Sequence, residues 1–485
     1  MDGLRTLRSV RLGFAFFGIV AGAGSVQAHS GAHLPVNGKV QVMTVQLKDY
    51  KKELNELVRL GFDIGGVDFD AKRVDLILNA DGFRFLPAFV TPEVSAYREM
   101  DVMAAPDSAY RTPAEIEEEI RQYAQRFPDL VTIESLGKTE EGRDIWAVKL
   151  TSPAVAERGT GKPNIYFNSM HHAREVMTSE VGLDMIDYLT KNYATDPTVR
   201  GWMDNNVIWV IPMLNPDGSN KVWTSNNMWR KNAHGGYGVD INRNYPYKWN
   251  SCAGSSGNQN ADDYRGASSG SELETQAIMR FIQRIQPVFS ISFHSYSELV
   301  LYPYGCDGER TPTRDLVEGM GKQIAGLLPK DGASGTYKPG TPWEILYSVD
   351  GGDIDWMYNQ YNVVPYVIEL NSTSQGFQPS YAQWRDKTVA KARAAWGFLM
   401  NRLDGSGVRV AVRNSAGQPI TNAQIVVRAT GESRLIDQIM RVKPDGTFHV
   451  ALLPGAYRII VTVNGQMQDQ NLMIGADRQD IELVF

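Results

Sequence analysis

The hydrophobic pattern divides the chain into three stretches. Over 39–47 valines alternate with polar residues, the two-residue period of a strand. Over 49–60 apolar residues fall at Leu54, Leu57, Val58 and Leu60, on a helical period. A second strand candidate covers 74–78. Together these predict a small α/β unit with βαβ content over 36–106. It contains no histidine and is a poor candidate for chemistry. The run Thr112-Pro113-Ala114-Glu115 then offers an N-cap, a proline in the first turn and a capping-box glutamate, so a helix starts there. From about 110 to 402 apolar strand runs alternate with helical stretches. That alternation predicts an α/β domain with a mixed, mainly parallel sheet flanked by helices. Beyond Asp404-Gly405-Ser406-Gly407 the period returns to two, over 408–412, 424–428 and 457–463, with Gly, Pro, Asn and Asp turns between. This predicts a small all-β sandwich. The expected division is 1–28, 29–107, 108–402 and 405–485.

The first segment reads as a secretory leader. Arg5, Arg8 and Arg11 precede an apolar or small-residue run over 12–23, and Val26-Gln27-Ala28 places small residues where a signal peptidase reads. The run spans only about 12 residues where a membrane span needs about 20. An exported, secreted or periplasmic chain without a membrane span is expected. Composition adds exclusions. A length of 485 residues suggests two to four units, and 42% hydrophobic with 21% charged residues is ordinary globular composition. A net charge of −6 argues against nucleic acid as a partner. Two cysteines cannot build a disulfide scaffold or a four-thiolate zinc site.

Three strand-like runs end on ionisable residues. The run 164–170 leads into His171-His172-Ala173-Arg174-Glu175, the run 288–293 into His294, and the run 365–368 into Glu369. Reactive groups in open α/β sheets collect at the carboxyl ends of strands, so His172, Glu175, His294 and Glu369 are expected to converge. Two histidines and a carboxylate form a common ligand set for catalytic zinc, and a further carboxylate would serve as general base. A single H-x-x-E is a weak signal by itself, and a buried structural histidine is the other reading of His172.

The flanking blocks add to it. His172-Ala173-Arg174-Glu175 resembles the H-A-R-E zinc motif of the carboxypeptidase A/B group of zinc metallocarboxypeptidases. Asn215-Pro216-Asp217-Gly218, Met228-Trp229-Arg230-Lys231, Val239-Asp240-Ile241-Asn242-Arg243-Asn244, His294-Ser295-Tyr296-Ser297, Leu301-Tyr302-Pro303-Tyr304-Gly305 and Gly351-Gly352-Asp353-Ile354-Asp355-Trp356 follow in that family's order. The resemblance covers about 108–402. It implies one zinc ion held by His172, Glu175 and His294, with Asp240 orienting His172; an Asp that only makes a turn is the other reading of Asp240. It implies that Glu369 takes the proton of the water that zinc activates and that Arg230 stabilises the oxyanion. Asn242, Arg243 and Tyr347 would grip the substrate's free C-terminal carboxylate, and Arg174 would contact the peptide upstream. Substrates would be peptide and protein C-termini, and the chain a monomer.

Ile354 matches the floor of the specificity pocket, with Gly305 on its wall. An apolar floor favours apolar or aromatic C-terminal residues, because a buried substrate charge would find no partner there. Asp353 and Glu344 lie close enough in sequence to offer a basic or dual preference instead. Cys252 and Cys306 sit in loops beyond active-site elements, and export would permit a disulfide bracing the rim. The N-terminal unit occupies the place of the family's propeptide, so it is either a folding aid or an inhibitory prosegment. Cleavage would fall in 94–108, with Arg98 as one site. The C-terminal module resembles transthyretin-like β domains. Those are usual in the group with an H-G-N-E zinc motif, so its presence here is a departure. A zinc amidase acting on cell-wall peptides and a noncatalytic binding protein are the alternative readings.

Overall fold

Asp49 starts the first helix, its side chain accepting from the Lys52 N–H. Around that helix the computed structural model, which describes residues 39–78, 82–153, 161–430 and 435–485, builds the first unit. It comprises β1 (Lys39–Gln46), α1 (Tyr50–Arg59), β2 (Asp63–Asp68), β3 (Arg73–Leu78) and β4 (Thr91–Asp101). The sheet order is β2-β3-β1-β4 with antiparallel neighbours. The predicted βαβ unit is therefore split: β3 lies between β1 and β2. The expected leader at 1–28 lies outside the described residues.

Thr112 closes the predicted capping box with Glu115 and opens α2 (Pro113–Arg126). There follow β5 (Val131–Lys138), β6 (Asp144–Leu150), β7 (Asn164–Ser169), α3 (Met177–Asn192), α4 (Pro197–Asn205), β8 (Val207–Ile211), α5 (Pro216–Thr224) and α6 (Leu273–Ile285). The chain continues with β9 (Phe289–Ser295), β10 (Leu299–Leu301), α7 (Arg314–Gly326), β11 (Lys338–Gly340), α8 (Pro342–Ile345), α9 (Asp353–Tyr361), β12 (Val364–Leu370) and α10 (Tyr381–Leu403). These strands form one sheet of order β11-β10-β12-β9-β7-β8-β6-β5. Its centre, β12-β9-β7-β8, is parallel, and the flanking β10, β6 and β5 pair antiparallel. The mixed, mainly parallel expectation holds.

Helices cover both faces, as parallel strands buried on both sides require. On one face α2, α3, α7 and α10 pack over Ile165, Phe167, Ile291 and Phe293. On the other, Tyr166, Trp209 and Phe281 belong to an apolar cluster that continues into Val45, Leu54 and Leu57 of the first unit. The first unit thus shares a core with the large sheet. The chain ends in β13 (Gly407–Arg413), β14 (Gln424–Ala429), β15 (Leu435–Arg441), β16 (Thr447–Ala451), β17 (Gly455–Val463), β18 (Gln466–Ile474) and β19 (Arg478–Val484). They form sheets β16-β13-β19 and β15-β14-β17-β18 around Val408, Val410, Ile425, Val427 and Val461, the predicted sandwich. Among the described residues no helix is long and apolar enough to cross a membrane.

Candidate active site

Strand register assembles the site. Glu369 of β12 lies beside His294 of β9, and Ser169, the last residue of β7, lies beside Phe293. The chain leaves β7 through Met170 in the left-handed region, φ 58°. It turns through His171–Glu175, where Ala173 N–H donates to the Arg230 carbonyl and Thr178 Oγ1 receives the Met170 N–H. That turn faces His172 and Glu175 toward His294.

The three candidate ligands converge as expected. His172 Nδ1 is 2.8 Å from Glu175 Oε1, His294 Nδ1 is 3.1 Å from Glu175 Oε2, and the two Nδ1 atoms are 3.1 Å apart. All three residues are buried, and their ligand atoms lie within 4.8 Å of one another. The outward nitrogens are also occupied: His172 Nε2 meets Asp240 Oδ1 at 3.2 Å, and His294 Nε2 meets Ser292 Oγ at 3.1 Å. Each imidazole therefore turns Nδ1 inward and has its other nitrogen fixed from behind, the arrangement of a metal-ligating histidine. Two imidazoles and one carboxylate suit zinc. Cys252 and Cys306 are joined as a disulfide, Cα–Cα 5.9 Å, which leaves no thiol for metal.

The electrostatics follow from burial and neighbours. Burial and the Arg230 charge hold the His172 imidazole neutral, with its pKa lowered. Burial opposes charge on His294, but Glu175 raises it. Glu175 is desolvated, yet His172 and His294 hold its carboxyl well below the usual range. Glu369 is pushed up to about 8, by burial first and then by Glu175, against the pull of His294 and Arg230. Asp240 bridges two elements of the site, because its Oδ2 accepts from Arg230 Nε at 3.0 Å and Nη2 at 2.8 Å while Oδ1 faces His172. Burial notwithstanding, Arg230 and His172 keep Asp240 ionised, far below the usual carboxylate value.

A cavity joins these groups to Asn242, Arg243, Tyr347, Ile354 and Gly305. The Arg243 guanidinium lies 5.9 Å from the centre of the Tyr347 ring. Ile354 lines the cavity as predicted, with Leu301, Val349 and Val367. Asp353 and Asp355 line it too, and Asp353 Oδ2 and Asp355 Oδ1 are buried without a hydrogen-bond partner. Glu344 does not line it. That carboxylate caps α8 through Thr341 and pairs with Arg310, which turns it away. Arg174, expected to meet upstream peptide, is buried here and held by Asp63 of β2, Nη1–Oδ2 2.6 Å and Nη2–Oδ1 2.8 Å. One further expectation is corrected. Arg98, expected in an exposed cleavable stretch, lies in β4 paired with β1, and its guanidinium binds Asp75 and the carbonyls of Thr373 and Ser374.

The first unit roofs the cavity, which sequence reasoning did not resolve. Ile64, Gly65 and Gly66 line it, and a Cβ on Gly66 would sit 2.2 Å from the Tyr296 ring. Tyr296 Oη donates to Asp75 at 2.9 Å, Val67 N–H to Ser297 Oγ at 2.9 Å, and Ser348 N–H to Asn55 Oδ1 at 3.1 Å. The one available signal was the Gly65-Gly66 pair, which reads as a place of close backbone approach.

A mixed α/β sheet carrying a His-Glu-His site and a further glutamate at its strand ends defines a metal-dependent hydrolase. The model of the zinc carboxypeptidase family matches residues 116–392, and the chain belongs to that family. It is a zinc-dependent metallocarboxypeptidase. Carboxypeptidase A1 of Rattus norvegicus is 32% identical over 305 residues, 61% of this chain and 70% of its own. The zinc carboxypeptidase of Saccharothrix mutabilis subsp. capreolus is 32% identical over 304 residues, 58% of this chain and 66% of its own. Carboxypeptidase A1 of Sus scrofa is 29% identical over 408 residues, 78% of this chain and 93% of its own. The crystal structure of carboxypeptidase A from Helicoverpa armigera superposes over 76% of this chain and 97% of its own, with TM-score 0.63 and 21% identity, and shares the fold.

Proposed function

We propose that this chain is an exported, latent carboxypeptidase that removes C-terminal residues from peptides once its N-terminal unit has left the cleft. Zinc, when bound by His172, Glu175 and His294, supplies a Lewis acid that brings the pKa of a water toward about 7. Glu369, whose pKa burial and Glu175 otherwise raise, would be favoured in its ionised form by the zinc charge. It would then take a proton from the attacking water on its carboxylate and deliver it to the nitrogen of the leaving amine. Arg230, kept charged by Asp240, faces the oxygen that becomes negative during attack. Arg243 offers a planar fork to the substrate's carboxylate, with Asn242 and Tyr347 beside it. The observation that carries the reading is this pairing of the ligand triad and Glu369 with an Arg243–Tyr347 corner in one cavity.

Apolar or aromatic C-terminal residues are favoured, because Ile354, Leu301, Val349 and Val367 surround the cavity. A basic preference is the second reading, supported by Asp353 Oδ2 and Asp355 Oδ1, which have no hydrogen-bond partner. Burial raises the pKa of both, Asp355 to about 7, which favours their neutral forms in the absence of a cationic partner. Latency is supported by the Asp63–Arg174 pair and by the Gly65-Gly66 roof. Release by cleavage then belongs after β4, where Met103 is exposed, rather than at Arg98. The disulfide suits an oxidising compartment. The sandwich over 405–485 serves as folding support, Arg402 of α10 donating to the carbonyls of Ser406 and Leu452.

The test is a panel of N-blocked dipeptides ending in Phe, Leu, Lys, Arg and Glu, given to the cleaved protein with and without a chelator. Chelator-sensitive release, fastest from Phe and Leu, is expected. No release from any peptide would refute the reading, and fastest release from Lys or Arg would select the second.

A further inference from the structure

Asp350 lies three residues beyond Tyr347, and a loop aspartate of that kind reads from sequence as a turn former. Its surroundings are unusual for one. The side chain is almost fully buried, and Oδ2 accepts the backbone N–H groups of Ser251 at 3.1 Å, Cys252 at 3.1 Å and Gly254 at 3.2 Å. Oδ1 accepts from Ser255 Oγ. One carboxylate thus gathers the whole segment 251–255, across about a hundred residues of chain.

That segment holds the substrate clamp. Arg243 Nε donates to the Gly254 carbonyl at 3.1 Å, and Nη1 donates to the Asn242 carbonyl at 2.9 Å. The peptide unit at Gly254 is therefore fixed from both sides, its N–H by Asp350 and its C=O by Arg243. The fit leaves no slack, since a Cβ on Gly254 would lie 2.6 Å from the Ser348 carbonyl oxygen. A Cβ on Gly351, the residue after Asp350, would lie 2.3 Å from the Arg243 carbonyl oxygen. The loop carrying Tyr347 also contacts the opposite rim, where Val349 N–H donates to the Gly305 carbonyl at 3.0 Å beside Cys306.

We propose that Asp350 is a positioning residue for recognition of the substrate's C-terminal carboxylate: through Gly254 it sets the Arg243 guanidinium, and through the chain it anchors the Tyr347 loop at a fixed distance from it. The inference rests on the reading of Arg243 as the carboxylate clamp. A carboxylate suits this place because both of its oxygens accept, the three N–H groups on one and the Ser255 hydroxyl on the other. The disulfide constrains the same segment by tying Cys252 to Cys306, whereas the hydrogen bonds of Arg243 go to the Gly254 and Asn242 carbonyls.

The experiment uses the cleaved, zinc-loaded enzyme with D350A, D350N and R243K. It measures kcat and KM for an N-blocked dipeptide ending in Phe, and the inhibition constants of two competitive inhibitors. One is an arylmethyl succinate, which carries a free carboxylate beside a zinc-binding group. The other is a small hydroxamate with no carboxylate. For D350A, KM and the succinate inhibition constant should each rise about tenfold or more, the scale of one displaced hydrogen bond to a charged group. Its kcat should stay within about threefold, and hydroxamate inhibition should be unchanged. D350N, which keeps one acceptor oxygen, should fall between wild type and D350A; it carries the test if D350A does not fold. Equal weakening of both inhibitors, or an unchanged KM in the variants, would overturn the proposal. R243K separates the two claims. If R243K spares succinate binding, the clamp reading itself fails; if R243K weakens succinate alone and D350A and D350N do not, only the role of Asp350 fails.

Discussion

Asp240 and Glu369 show how far single side chains carry this site. Asp240 fixes the tautomer of His172 and the direction of Arg230 with its two oxygens. Removing its charge should disturb both. D240N should lower zinc affinity by about 10- to 100-fold, the usual scale for losing a partner behind a ligand, read by competition with a chromogenic chelator. An unchanged affinity would return Asp240 to the role of a turn residue. Glu369 is not one of the three grouped ligands, so E369Q should keep zinc and lose turnover by at least about 10²-fold. Retained turnover would remove Glu369 as the base. The ligands were legible in sequence because each sits at the end of an apolar strand run, and strand register turns that pattern into proximity. The double use of Asp240 was not legible, because the second partner, Arg230, depends on how a loop folds back.

Among elements, β2 carries the proposed latency, because Ile64, Gly65 and Gly66 line the cavity. Its sequence, Asp-Ile-Gly-Gly-Val-Asp, has too little apolar alternation to be read as a strand, and β4 begins with a proline-containing segment, so both were missed. The pairing with β3 makes them strands. Asp63 reaches Arg174 over 111 residues of sequence, and no local pattern records such a pair. Removing Asp63 while Arg174 stays buried would cost about 3–5 kcal/mol, so the proposed latency gives this contact the role of a latch. The close approach of Gly65 and Gly66 to Tyr296 would be a second latch. G66A should force the roof away from Tyr296 at a cost of about 1–3 kcal/mol. Activity of the uncleaved chain should then rise several-fold or more, while the cleaved enzyme, which lacks residue 66, is unchanged. Equal latency of G66A and wild type would show that the roof does not depend on this contact.

At the scale of the molecule, latency should depend on pH. Asp262 is half-buried near Arg174 and Asp63, and burial, with the Asp63 charge second, pushes it up to about 7. Departure of the first unit removes Asp63 and part of the burial, so the pKa falls toward the ordinary value. The docked state therefore holds a proton that the open state releases. Docking is favoured fully below the open-state pKa, and the advantage is lost as pH rises through about 7. The ratio of cleaved to uncleaved activity should be larger at pH 5.5 than at pH 8, and D262N should flatten it. A ratio that grows with pH would contradict the assignment. The three-part architecture was legible from the changing hydrophobic period, as was the capping box at Thr112. How the first unit sits on the second was not, because the shared core of Val45, Leu57 and Phe281 uses residues that any α/β unit would bury.

The most direct test of the account follows release of the C-terminal residue from a long N-blocked peptide, with zinc present, before and after proteolysis confined to the connector beyond β4. The account predicts little release by the intact chain and a several-fold or greater rise on cleavage. Equal release before and after cleavage would contradict it.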